Sequence, residues 1–163
     1  MKTLEEQMSF YLRYHRNPKN KLTHFVGVPL IMFSLFVLLA LVRINVGGFS
    51  ISAATVLAVV VLIYYFRLDA VLAAAMTLFV AVLLVGAHGI ASEGVRPALV
   101  VFATTFVGGW ALQLIGHVFE GKKPAMMDNF FKVFIAPIFL MGEVFFAFGY
   151  KRDVAERMEQ MAT

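Results

Sequence analysis

The chain contains no cysteine among its 163 residues. That excludes disulfides and thiolate metal sites, and leaves no trace of the redox compartment. Charge is sparse: Asp, Glu, Lys and Arg together make up 15% of the chain, against about 25% in soluble domains. Proline is rare too. Pro18, Pro97 and Pro124 fall at expected helix boundaries, and Pro29 and Pro137 interrupt apolar runs. The first twenty residues lack an apolar core of the signal-peptide kind, so no cleavable leader is expected. No internal repeat or low-complexity segment is visible.

What the chain has in excess is apolar sequence. It is 61% hydrophobic with a mean hydropathy of +0.83, and several runs approach or pass roughly 18 apolar residues. The fold class is therefore all-α, a multi-pass helical membrane bundle of about five spans, with an N-terminal interfacial amphipathic helix. It forms one membrane-embedded domain over 1–163. The net charge is +4, but Lys and Arg cluster at the ends of apolar runs, where orientation and headgroup contact require them. The basic character points to the lipid bilayer as partner and to no nucleic acid.

In chain order, Thr3–Arg16 reads as the interfacial helix within residues 1–17, with Leu4, Met8, Tyr11 and His15 on one face. Asn17–Pro18 is a helix-start signature, opening a span from Pro18 to about Val42. A loop holding Gly47–Gly48 leads to a second span at about Ile51–Phe66. Arg67–Asp69 is a tight connection or a break in one long helix. The third span is about Ala70–His88 and the fourth about Ala98–Glu120, stopped by Gly121 and Pro124. The fifth, about Phe130–Tyr150, carries Glu143, and Lys151–Thr163 is a polar, fraying tail. With the N-terminus inside, Lys2, Arg13, Arg16, Lys19, Lys21, Arg67, Lys122 and Lys123 lie on the inner side. Arg43, Arg96, Lys151, Arg152 and Arg157 lie outside, so the basic tail dissents from the positive-inside bias.

This alternation sorts the histidines. His15 and His24 sit at the inner end of the first span, and the fourth span returns His117 and Glu120 to that face. His88 ends the third span on the outer side, separated by roughly 30 Å of hydrocarbon. Trp110, Gln113, His117 and Glu120 are spaced 3, 4 and 3 apart, which stacks them on one helix face. Three histidines and a carboxylate therefore converge, with Asn20 and Gln113 as supporting partners. Imidazole suits iron, zinc, copper and nickel. The same residues would also suit headgroup contacts in a non-enzymatic lipid-binding protein, or a metal-dependent lipid hydrolase. Four histidines are too few for the di-iron cluster of a membrane desaturase. Glu143, an intramembrane carboxylate, is functional by default, and Lys122–Lys123 is a headgroup anchor or an attractor of a substrate carboxylate.

The stretches YLRYHRNPKNKLTHFVGVPLI and WALQLIGHVFEGKKPAMMDNFFKVFIAPIFLMGEVFF cover well over a third of the chain. Together they resemble the two signatures of the Mpo1-like (DUF962) family. The match includes His15, Asn17, Asn20, His24, Gly27 and Pro29, then Trp110, Gln113, Gly116, His117, Glu120, Pro124, Pro137 and Glu143. The family's characterised yeast member is an endoplasmic-reticulum membrane dioxygenase that shortens 2-hydroxy fatty acids by one carbon with Fe(II) and O₂. The resemblance implies a single Fe(II), with zinc as an alternative occupant, on His15, His24 and His117. It implies a long-chain 2-hydroxy fatty acid and O₂ as substrates. Glu120 and Glu143 occupy motif positions and are the candidate catalytic carboxylates. The implied location is a membrane: the cytoplasmic membrane in a bacterium, the endoplasmic reticulum in eukaryotic relatives.

Overall fold

The computed structural model describes residues 3–127 and 130–162. Lys2, one of the inner-side charges above, and the extreme ends of the 1–163 domain lie outside the described residues, as do Asp128 and Asn129. Helix α1, Leu4–Leu12, opens with a capping box in which the Thr3 hydroxyl accepts from the Glu6 amide and the Glu6 carboxylate from the Thr3 amide. Helix α2, Pro18–Ala40, starts at its N-cap Asn17, whose side chain accepts from the Lys19 amide at 2.9 Å. Helices α3, Ala53–Leu68, and α4, Ala70–Ser92, are joined by one extended residue, Asp69. Its carboxylate accepts from the Val71 and Leu72 amides and from Lys151. Burial alone would raise the Asp69 pKa. The lysine and the two amides outweigh it and hold the carboxyl below its ordinary value. Helix α5, Val95–Glu120, ends at Gly121 in the left-handed conformation, whose amide bonds to the His117 carbonyl.

Several expectations are corrected here. The loop after α2 is a β-hairpin, β1 Arg43–Val46 paired antiparallel with β2 Phe49–Ser52. Gly47 and Gly48 both take positive φ, as a tight hairpin turn of the primed type demands. Among the described residues, three helices are long and apolar enough to cross a membrane: α2, α4 and α5. Helix α3 is apolar but has 16 residues, about 24 Å at 1.5 Å per residue. The expected fifth span breaks into a 3-10 segment, Phe130–Phe134, and helix α6, Ala136–Ala147. Pro137, expected within the fifth span, stands in the first turn of α6, whose 12 residues reach only about 18 Å. The tail is helix α7, Arg152–Ala162, whose Val154, Met158 and Ala162 bury one stripe against α1. The apolar face of α1 packs on α6 and α7.

The tail returns to α1, which puts its basic residues at the same end of the molecule as those of α1. Arg13 donates to the Met161 carbonyl at 2.8 Å, and Arg157 pairs with Glu5 at 3.3 Å. Among the described basic residues, Arg43 and Arg96 stand at the hairpin end and the others gather at the opposite end.

The long helices are organised by α2, which packs most extensively on α5 and then on α4 and α3. Glycine makes the α2–α5 approach possible. A Cβ on Gly116 would stand 2.2 Å from Thr23 Oγ1 and 2.4 Å from Asn20 Oδ1, and one on Gly109 would meet Ile31 at 2.7 Å. Gly108, one residue away, faces open space. Gly116→Ala should therefore lower stability by about 1–3 kcal/mol, whereas Gly108→Ala should be neutral or slightly stabilising. Thermal unfolding in detergent compares the two; equal behaviour would contradict the close approach.

Candidate metal centre

Three elements deliver the site. His15 lies in the turn between α1 and α2, His24 on the second turn of α2, and His117 on the last turn of α5. All three are buried, and one nitrogen from each lies within 4.8 Å of the others. His15 Nδ1 donates to the Tyr11 carbonyl at 2.8 Å, and His24 Nδ1 to the Asn20 carbonyl at 2.9 Å. A carbonyl only accepts, so both rings carry their proton on Nδ1 and present a lone pair at Nε2. Those two Nε2 atoms face each other at 3.0 Å. His117 Nδ1 is buried with no protein partner.

Facing lone pairs repel unless something positive lies between them. A proton is poorly supplied: burial first, then the neighbouring His24, pushes the His15 pKa down to about 2. A cation fits the donor set better. Neutral imidazoles whose far N–H is tied to a backbone carbonyl are the form in which histidine binds metals. The 3.0 Å separation is also short enough for both nitrogens to reach one ion at ordinary metal–nitrogen distances of about 2.1 Å. The residues present fit a borderline divalent metal such as iron or zinc. The rings are held by packing as well: Tyr11 stacks on His15 with centroids 3.9 Å apart and planes within 4°.

Both candidate carboxylates have protein partners. Glu120 accepts from the Arg16 amide at 3.0 Å, the Asn17 amide at 2.8 Å and Asn20 Nδ2 at 3.0 Å. In return, Asn17 Nδ2 caps the Phe119 carbonyl at 2.8 Å. The end of α5 thus clamps the turn that carries His15. Asn20 also donates to the Tyr14 carbonyl. Glu143 pairs with Lys21 at 2.7 Å, part-exposed at the start of α2, and does not line the cavity described below. Lys122 donates to the Arg13 carbonyl at 2.8 Å, and Lys123 is exposed and engaged elsewhere. Gln113 is buried one turn above His117, its Nε2 without a partner and packed over Gly27. His88 is at the hairpin end, between Leu84 O and Ser52 Oγ, both at 2.8 Å.

The three histidines open onto a cavity of about 370 Å³. Its wall is overwhelmingly apolar, supplied by α2, α3, α4 and α5, and two 3-10 segments, Ala125–Met127 and Phe130–Phe134, line its histidine end. Two cavity residues escaped the sequence reading. Lys132 is buried at the wall, bonded to Gln7 Oε1 at 2.6 Å and lying over the Phe10 ring; a lysine inside the apolar run FFKVF was the available signal. Tyr65 is fully buried and donates to the Phe134 carbonyl at 2.6 Å.

Fold and site together define a polytopic helical membrane protein whose buried three-histidine cluster serves an apolar cavity. Comparison with known proteins specifies the class. The model of the family described as 2-hydroxy-palmitic acid dioxygenase Mpo1-like matches residues 1–148, and the chain belongs to that family. It is 36% identical over 161 residues to the 2-hydroxy-palmitic acid dioxygenase MPO1 of Saccharomyces cerevisiae, covering 96% of this chain and 87% of the relative. No solved structure matches significantly.

Two outcomes follow from the site. His117→Ala should abolish metal retention on purification, measured by elemental analysis, while His88→Ala retains it; equal loss in both would contradict the assignment. The second concerns pH. Folded His15 stays neutral down to about 2, whereas in the unfolded chain it protonates near 6.5. Between those values the unfolded state binds the extra proton, so stability declines as pH falls below about 6.5, by up to about 1.4 kcal/mol per pH unit. His15→Gln should flatten that slope in denaturant titrations of metal-free protein, and an unchanged slope would count against a buried neutral His15.

Proposed function

We propose that this protein is a membrane-embedded, Fe(II)-dependent dioxygenase that shortens long-chain 2-hydroxy fatty acids by one carbon. Membership of a family with a named dioxygenase supports the class of enzyme. The observation that carries the finer reading is the buried histidine cluster at one end of an apolar cavity. That arrangement suits a molecule with one polar head and one long apolar tail.

A bound Fe(II) supplies the redox chemistry that lets O₂ react with an organic acid. His15, His24 and His117 hold the ion, and the Tyr11 and Asn20 carbonyls fix the rings of the first two. Glu120 acts as a positioning residue by clamping the turn that carries His15. Lys132 puts positive charge at the cavity wall, which favours the carboxylate at the histidine end; the attraction expected of Lys122 and Lys123 falls on it. The apolar walls exclude water around the head and accept the acyl chain. A 2-hydroxy acid and O₂ balance as the acid one carbon shorter, CO₂ and water, with no external reductant.

Protein loaded anaerobically with Fe(II) and then given O₂ and 2-hydroxyhexadecanoic acid should form pentadecanoic acid in step with O₂ uptake. Hexadecanoic acid, lacking the hydroxyl, should turn over poorly. Glu120→Ala should weaken iron retention by roughly 10–100-fold, and Glu143→Gln should not. Product formed without O₂, or equally well with zinc, would move the hydrolase reading ahead.

A further inference from the structure

The cavity has a defined far end. On α2 its lining runs from His24 to Phe36, about 18 Å of helix at 1.5 Å per residue, and on α5 from His117 to Phe106, about 16 Å. The antiparallel pair α3 and α4 contributes Ala58 and Val80 at the same depth. Past that level α2 and α3 are tightly packed: Val37, Ala40 and Ala54 are buried and none of them lines the cavity. Phe36, Ala58 and Val80 are themselves buried at that end. Polar lining is confined to the other end, at the three histidines, Gln113, Lys132, Tyr11 and Tyr65.

A carboxylic acid enters such a space in one direction, because a buried head without polar partners costs several kcal/mol. Its tail therefore points at Phe36. Resting on the fatty-acid reading above, we propose that Phe36, Ala58 and Val80 form the floor of an acyl-chain ruler that sets the longest substrate chain accepted. Phe36 plugs the way toward the small residues Ala40 and Ala54, and the small side chains of Ala58 and Val80 leave the last room for methylenes.

The test uses purified protein under nitrogen and displacement of a bound fluorescent fatty acid by straight-chain 2-hydroxy acids from decanoic to docosanoic. Turnover of the same ladder in O₂ is measured in parallel. Wild type should show affinity rising with chain length and then breaking. Ala58→Phe and Val80→Phe should move the break to shorter acids, with a loss of roughly fourfold for each methylene excluded, and leave the shortest acids within about twofold. Phe36→Ala should move it to longer acids. Ala58→Val and Val80→Leu are milder changes in the first direction, should a phenylalanine prevent folding. Folded variants with the wild-type length profile would overturn the ruler while leaving the dioxygenase reading intact. Failure of every acid to displace the probe from wild type would overturn the fatty-acid reading and the ruler with it.

Discussion

The close approach of α2 and α5 is the constraint on which the site depends. Two transmembrane helices gain little from the hydrophobic effect in lipid, so their association rests on packing and on polar contacts. Gly27, Gly109 and Gly116 remove the side chains that would hold the backbones apart. At the histidine end the same pair is stitched by polar groups, with Glu120 accepting from the start of α2 and Asn17 capping the end of α5. The two contacts act together: glycine sets the distance and the clamp sets the register. His24 and His117 are brought face to face by both, and His15 is held over them because the clamp grips the turn that carries it.

Burying three imidazoles beside an apolar cavity is costly unless their nitrogens find partners. Two Nδ1 atoms are satisfied by carbonyls, but the inward nitrogens are left facing one another or facing nothing. A cation at their centre would resolve that deficit. Helices α1, α6 and α7 close over this end, joined by Arg13, Arg157 and Lys151 to their partners. The cavity then leads away from the site into the apolar interior, so on the proposed reading polar chemistry and acyl chain would be kept at opposite ends of one space.

Much of this was legible in the sequence. Alternation of spans placed His15, His24 and His117 at one end and His88 at the other, because the side on which a helix begins follows from counting reversals. Three reversals, from α2 to α3, α3 to α4 and α4 to α5, survive in the structure even though α3 is short, so that count was robust to span length. Misjudged elements had competing signals. Arg43–Ser52 carried two alternating runs around Gly-Gly, a hairpin signal masked by its position between spans. The tail is mostly polar, and its three buried residues stand out only at helical spacing, as Val154, Met158 and Ala162. Glu143 was placed within a span that does not exist as one helix, and its pairing with Lys21 spans 122 residues, a contact no local pattern reveals. Lys132 was lost for the same reason: its partner Gln7 lies in α1.

The central claim is that one metal ion is held by three imidazoles, with the neighbouring carboxylates serving as scaffolding. Metal-edge X-ray absorption on the iron-loaded protein tests it most directly. The account predicts one ion per chain, with imidazole scattering from three histidines at about 2.0–2.2 Å and loss of one imidazole in any of the three single His→Ala variants that still binds iron. An oxygen-dominated shell without that scattering, or a spectrum unchanged when His15, His24 or His117 is replaced, would contradict it.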